Sequence, residues 1–160
     1  MANQEHLDLL RQGVETWNRW RQEHFDIQPD LSKADLRHII HRDANLHGTN
    51  LAKADLRRTD LRYANLTQAR LSGANLTGAN LSGAHLSRSD LTRTNLTNAD
   101  LSKAIVKRAN LTDAKLVGTQ LIETDLGRAI PTGCAMRFDN RKKPPSFLVV
   151  TPTCILWCKT

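Results

Sequence analysis

The stretch ADLRRTDLRYANLTQARLSGANLTGANLSGAHL, residues 54–86, decides the fold. Leucine returns at every fifth position: Leu56, Leu61, Leu66, Leu71, Leu76, Leu81 and Leu86. Followed outward, the same position recurs from Leu31 to Leu126, and 18 of its 20 occurrences are Leu. His41 and Val106 are the exceptions. Two residues before each centre stands a small side chain, Ala twelve times, Thr five times and Ser once; only Pro29 and Ile39 interrupt that column. Between them sits Asp or Asn most often, and the two positions after the Leu are polar or Gly.

A period of five excludes straight elements. On an α-helix five residues advance about 500°, so successive leucines would point all round the axis. On a straight strand an odd spacing sends them to opposite faces. One arrangement keeps every Leu inside: a short extended step, then a corner, four times per coil of 20 residues. The small residue points inward beside the Leu. Asp and Asn suit the turns because their side chains bond nearby backbone. Gly after the Leu supplies the positive φ of a tight turn.

The quoted run resembles the pentapeptide repeat family with its A(D/N)LXX motif. The match covers about 100 of the 160 residues. The resemblance implies an all-β solenoid, a right-handed quadrilateral β-helix, here of about five coils. Separately, a tower filled with Leu and Ala leaves no room for a substrate, so an enzyme is not expected. Some family members mimic DNA and act on type II topoisomerases; those are strongly acidic, and this chain carries a net charge of +7.

Three segments follow. Residues 1–28 form an N-terminal helix and cap, 29–130 the repeat β-helix, and 131–160 a basic linker with an apolar tail that serves as a second cap. A solenoid needs caps because both ends expose unpaired backbone. Asn3 N-caps the helix. Leu7, Leu10, Val14 and Trp17 then share one helical face, which Trp20, Phe25 and Ile27 extend toward the tower. The stretch LLRQGVETWNRWR is similar to segments that precede repeats in some members of the family. In the tail, Phe147, Leu148 and Trp157 join Val117 and Ile122 of the last coil as an apolar end. The alternative is that these residues contact a second copy, giving a homodimer through the C-terminal end.

Chemistry is sparse. His38, His41 and His47 cluster in sequence, but the register sends them in different directions, so no metal is expected. Cys134, Cys154 and Cys158 match neither a disulfide framework nor a zinc spacing. No nucleophile, phosphate loop or cofactor motif appears, and a Leu/Ala core leaves no substrate cavity. Neither an apolar run of 18 residues nor a secretory leader is visible, so a cytoplasmic location is expected. The informative surface is basic. Arg88, Arg108 and Arg128 share one outward column, and Arg37/Arg57 and Arg42/Arg62 pair on the first two coils. These are candidate contacts for an anionic partner, against a solvated surface balanced by Asp35, Asp55 and Asp60. The leading function is a scaffold that presents flat β faces to an unidentified protein. The alternative is contact with nucleic acid or a topoisomerase.

Overall fold

The computed structural model describes residues 1–130, 132–138 and 155–158. Its body is a quadrilateral β-helix. Each extended step is so short that it pairs through a single residue, in parallel bridges running from Asp30↔Asn50 to Asn110↔Ile130, always 20 residues apart. We number the four faces by their central columns: face one Leu31/51/71/91/111, face two Leu36/56/76/96/116, face three His41/Leu61/81/101/121, and face four Leu46/66/86/Val106/Leu126.

Three backbone bonds per step stack the coils. The Leu61 N–H donates upward to Asn80 O (2.7 Å), the Tyr63 N–H to Ser82 O (3.1 Å), and the Asn80 N–H downward to Thr59 O (2.9 Å). Every corner except the one at Ile39 is closed as in Ala64 N–H to Leu61 O, 3.1 Å. Only its third residue has positive φ, which is the type II pattern. Fifteen of these residues are not glycine, and Lys33, Tyr63, Arg88, Arg108 and Arg128 all sit near φ +60. The corner imposes the left-handed backbone, whatever side chain occupies it. The Asp or Asn before each Leu behaves as expected: its Oδ1 accepts the N–H two residues on, as Asn80 does from Ser82 at 3.0 Å.

The core is two nested columns. Leu51, Leu61, Leu71, Leu81 and Leu86 are fully buried, with Ala64, Ala69 and Ala84 beside them. Thr and Ser at the small position bury a hydroxyl and must pair it. Thr94 donates to Leu71 O in the coil below (2.8 Å), and Thr124 likewise to Leu101 O (2.7 Å). Thr49 belongs to the first coil, has no such coil beneath it, and its buried hydroxyl has no partner among the described residues.

The cap is built from two helices rather than the single helix the periodicity suggests. α1 spans Gln4–Arg11 and α2 spans Val14–Glu23. Gly13, at φ +115, breaks them apart. Asn3 caps α1 by accepting from Glu5 N–H (2.9 Å) and His6 N–H (3.3 Å). Leu7, Leu10 and Trp17 are buried as expected, but Phe25 is 80% exposed, so it does not extend that face. The cap then satisfies backbone groups that a missing coil would have satisfied. The Asn3 N–H donates to Asp30 O (2.9 Å), and the Asp30 N–H donates to His6 Nδ1 (3.1 Å). Trp17 Nε1 donates to Asn45 O (2.8 Å), and the Asn45 N–H to Asn18 Oδ1 (2.8 Å). Buried Arg21 reaches His47 O (3.1 Å) as well as His24 O and Ile27 O.

At the other end, β1 (Lys115–Val117), β2 (Ala135–Phe138) and β3 (Ile155–Cys158) form a parallel sheet in the order β1-β2-β3. The register pairs Lys115 with Ala135 and Ala135 with Ile155. The spacing of 20 therefore continues on face two into a segment whose sequence has lost the repeat.

His41 occupies a leucine position and is 3% exposed. Neither ring nitrogen has a partner among the described residues, and burial pushes its pKa down to about 4. The unfolded chain, with a pKa near 6.5, then binds a proton that the folded chain refuses. This contribution is fully present above about pH 6.5 and is lost as pH falls toward 4, about 3 kcal/mol in all. His41→Leu should raise the urea midpoint at pH 7 and flatten the stability profile between pH 6.5 and 4. An unchanged profile would mean that the imidazole is not buried unpaired.

Candidate interaction surface

The arginines fall into two environments. On the first two coils Arg37, Arg57 and Arg62 stand two residues after an aspartate, in the triplets Asp35-Leu36-Arg37, Asp55-Leu56-Arg57 and Asp60-Leu61-Arg62. The turn brings the two side chains together. Arg37 pairs with Asp35 at 2.6 Å and Arg57 with Asp55 at 2.6 Å. Arg42 and Arg62 share Asp60, at 2.6 and 2.8 Å. The Arg37 hydrogen bond holds the Asp35 carboxyl down at about 2, and the Arg57 hydrogen bond lowers Asp55. These exposed pairs add little stability, but they give all four of these arginines a carboxylate partner. Arg37, Arg57, Arg42 and Arg62 therefore form the balanced surface rather than an open anion ladder.

Arg88, Arg108 and Arg128 stack at successive corners between faces four and one. Each lies on the left-handed residue of its turn, at φ 58, 57 and 59. None makes an ion pair among the described residues. The coil spacing of about 4.8 Å puts roughly 10 Å between the first and third. Beside them Lys107 reaches Asp125 at 2.9 Å. Lys107, Arg108, Gly127 and Arg128 line an open hollow of about 340 Å³. Gly127 is not needed for its backbone, whose φ is not left-handed. A Cβ there would sit 3.1 Å from Asp125 Oδ1 and 3.6 Å from Lys107 Cγ. A side chain there would crowd the Lys107–Asp125 pair. Like charges stacked this closely repel, and an anion in the hollow would relieve that.

Elsewhere the surface is smooth. Ser72-Gly73, Thr77-Gly78 and Ser82-Gly83 form a nearly uncharged belt at mid-height. Tyr63, 63% exposed, lays its ring over Gly83, where a Cβ would fall 2.6 Å from the ring. Val117 is 36% and Ile122 50% exposed on the last coil, joined by Ile130 at 50%. Phe147 and Leu148 lie outside the described residues, and Trp157 is in β3. His38 points outward and His47 is half-buried, away from inward His41. Among the described residues no helix is long and apolar enough to cross a membrane.

A family model described as pentapeptide repeats (8 copies) matches residues 30–68, 42–78, 69–108 and 89–128. Solved structures of the same kind are similar. One is a pentapeptide repeat protein of the Arabidopsis thaliana thylakoid lumen, 34% identical, with a TM-score of 0.56, over 60% of this chain and 66% of that one. A second is HetL of the cyanobacterium Nostoc, involved in heterocyst differentiation regulation: 31% identity, TM-score 0.43, 69% of this chain and 60% of that one. A third, from the cyanobacterium Cyanothece, gives 26% identity and a TM-score of 0.44 over 72% and 98%. The chain thus spans less than two thirds of the first two. No curated protein matches it.

Proposed function

This chain belongs to the pentapeptide repeat family, whose fold is a right-handed quadrilateral β-helix, and we propose that it is a non-catalytic scaffold that docks an anionic macromolecular partner. The observation that carries this reading is the column Arg88, Arg108 and Arg128, unpaired among the described residues, beside the Gly127 hollow. The lower arginines, which have carboxylate partners, are the internal contrast. A core filled by Leu and Ala supports docking on the outer surface over catalysis. Val117, Ile122 and Ile130 give the last coil exposed apolar side chains for a protein partner. We place the protein in the cytosol on its lopsided cysteine count, a compartment that the similar plant protein does not share.

Nucleic acid is the second reading, favoured by the same column. Contacts there would grip phosphates without base stacking, because no aromatic side chain interleaves the three arginines. Mimicry of DNA is disfavoured by the positive charge.

Retention on immobilised heparin tests the proposal. The wild-type protein should bind at low salt and elute as salt rises. Arg108→Glu with Arg128→Glu should elute much earlier with an unchanged melting temperature. Wild-type protein in the flow-through, or a variant that elutes with the wild type, would refute it.

A further inference from the structure

The cap completes only half of the lower end. On faces one and four, Asp30 N–H and O, Asn45 N–H and O, and His47 O all meet cap residues. Gln28 adds a bond to Gly48 O (2.9 Å) and Asn18 one to Asp43 O (3.0 Å). The equivalent groups on faces two and three are the N–H and O of Asp35 and Ile40, and the O of Arg37 and Arg42. Among the described residues none of these has a partner. Ile40 stands on this open edge, 67% exposed. The lower end thus offers a parallel β edge beside an apolar side chain, which is the form that invites another strand.

The upper end offers the matching edge on the same face. β3 pairs with β2 on one side, and its other side meets no described strand. Face two runs Asp35, Asp55, Asn75, Asn95, Lys115, Ala135, Ile155. One more step of 20 beyond Ile155 is the place that Asp35 of another copy would fill. Strand direction would stay parallel.

Charge favours the same arrangement. Residues 1–29 carry three basic and five acidic side chains, whereas residues 129–160 carry five basic and one acidic. The N-terminal segment of one copy therefore attracts the C-terminal segment of another. A symmetric contact between two C-terminal segments would set basic against basic.

We propose that copies of this chain stack head to tail, the upper edge of β3 in one copy pairing with the lower edge of face two in the next. Such a contact is heterologous, so it does not stop at a dimer. It is independent of the anion-binding column, which lies on the corner between faces four and one.

Sedimentation equilibrium of the full chain over a concentration series tests it. At low salt the weight-average mass should climb past that of a dimer without a plateau. At about 1 M salt, where the Debye length is about 3 Å, it should fall back toward monomer. Ile40→Lys, on an exposed side chain, should keep the melt of the wild type and weaken association about tenfold, equivalent to about 1.4 kcal/mol. The register also sets His38 of one copy opposite Cys158 of the next. His38→Cys, in a Cys154→Ser background, should give an oxidised ladder of trimers and longer species. A discrete dimer indifferent to Ile40→Lys would show a symmetric contact and overturn the proposal. Monomer at every concentration, with no ladder, would overturn it too.

Discussion

Leu81→Ala lowers the stability of the folded chain by about 2–5 kcal/mol. Leu81 is fully buried in the third coil, with Leu61 below and Leu101 above in the same column. Truncation removes the transfer free energy of the lost carbons. It also leaves a void that rigid, bridge-locked coils cannot close. Coils touch only their neighbours, so a void in mid-tower weakens the two interfaces that join the halves. A urea titration reads the loss as a lower midpoint. A midpoint unchanged from wild type would mean that Leu81 does not point inward, and the five-residue register would be wrong.

Trp17→Ala costs about 3–5 kcal/mol, for a different reason. Its indole is fully buried against the first coil, and Nε1 supplies the donor for Asn45 O. Removing it opens a cavity under the tower and leaves a coil carbonyl without its partner. The loss should be local. Hydrogen exchange should accelerate first in the coil from Leu31 to Thr49, while amides near Leu91 stay protected. Uniform acceleration, or none, would show that the helices do not hold the lower end.

What the sequence makes legible here is whatever repeats. The leucine column and the small column each recur 18 times and the Asx turns 14 times, so one register explains all of them. Features that occur once have no register to test against. Gly13 breaks an otherwise continuous amphipathic pattern, and one glycine inside such a pattern is compatible with a single helix. Phe25 is apolar yet faces solvent. Asn18, Arg21 and Gln28 read as ordinary polar surface until the missing coil beneath Asn45, His47 and Gly48 is known. The left-handed corners were visible at the glycines and hidden at Lys33, Tyr63 and Arg108. The tail conceals its spacing because the side chains at 135 and 155 follow no repeat, although the backbone keeps it. Among the arginines, the Asp-Leu-Arg triplets announced the lower ion pairs. The column of Arg88, Arg108 and Arg128 has no such aspartate, and that difference was readable. The Gly127 hollow beside it was not, since it depends on where Lys107 crosses.

The most direct measurement compares two neutralised proteins of equal net charge. One carries Arg88→Gln, Arg108→Gln and Arg128→Gln; the other carries Arg37→Gln, Arg42→Gln and Arg57→Gln. Heparin affinity is followed against salt concentration, and neutralising an arginine that grips the polyanion lowers the salt slope by roughly one. The upper triple should lose most of its affinity and slope, and the lower triple should retain both. Equal losses in the two proteins would reduce the binding to net charge and contradict a docking site at the upper corner.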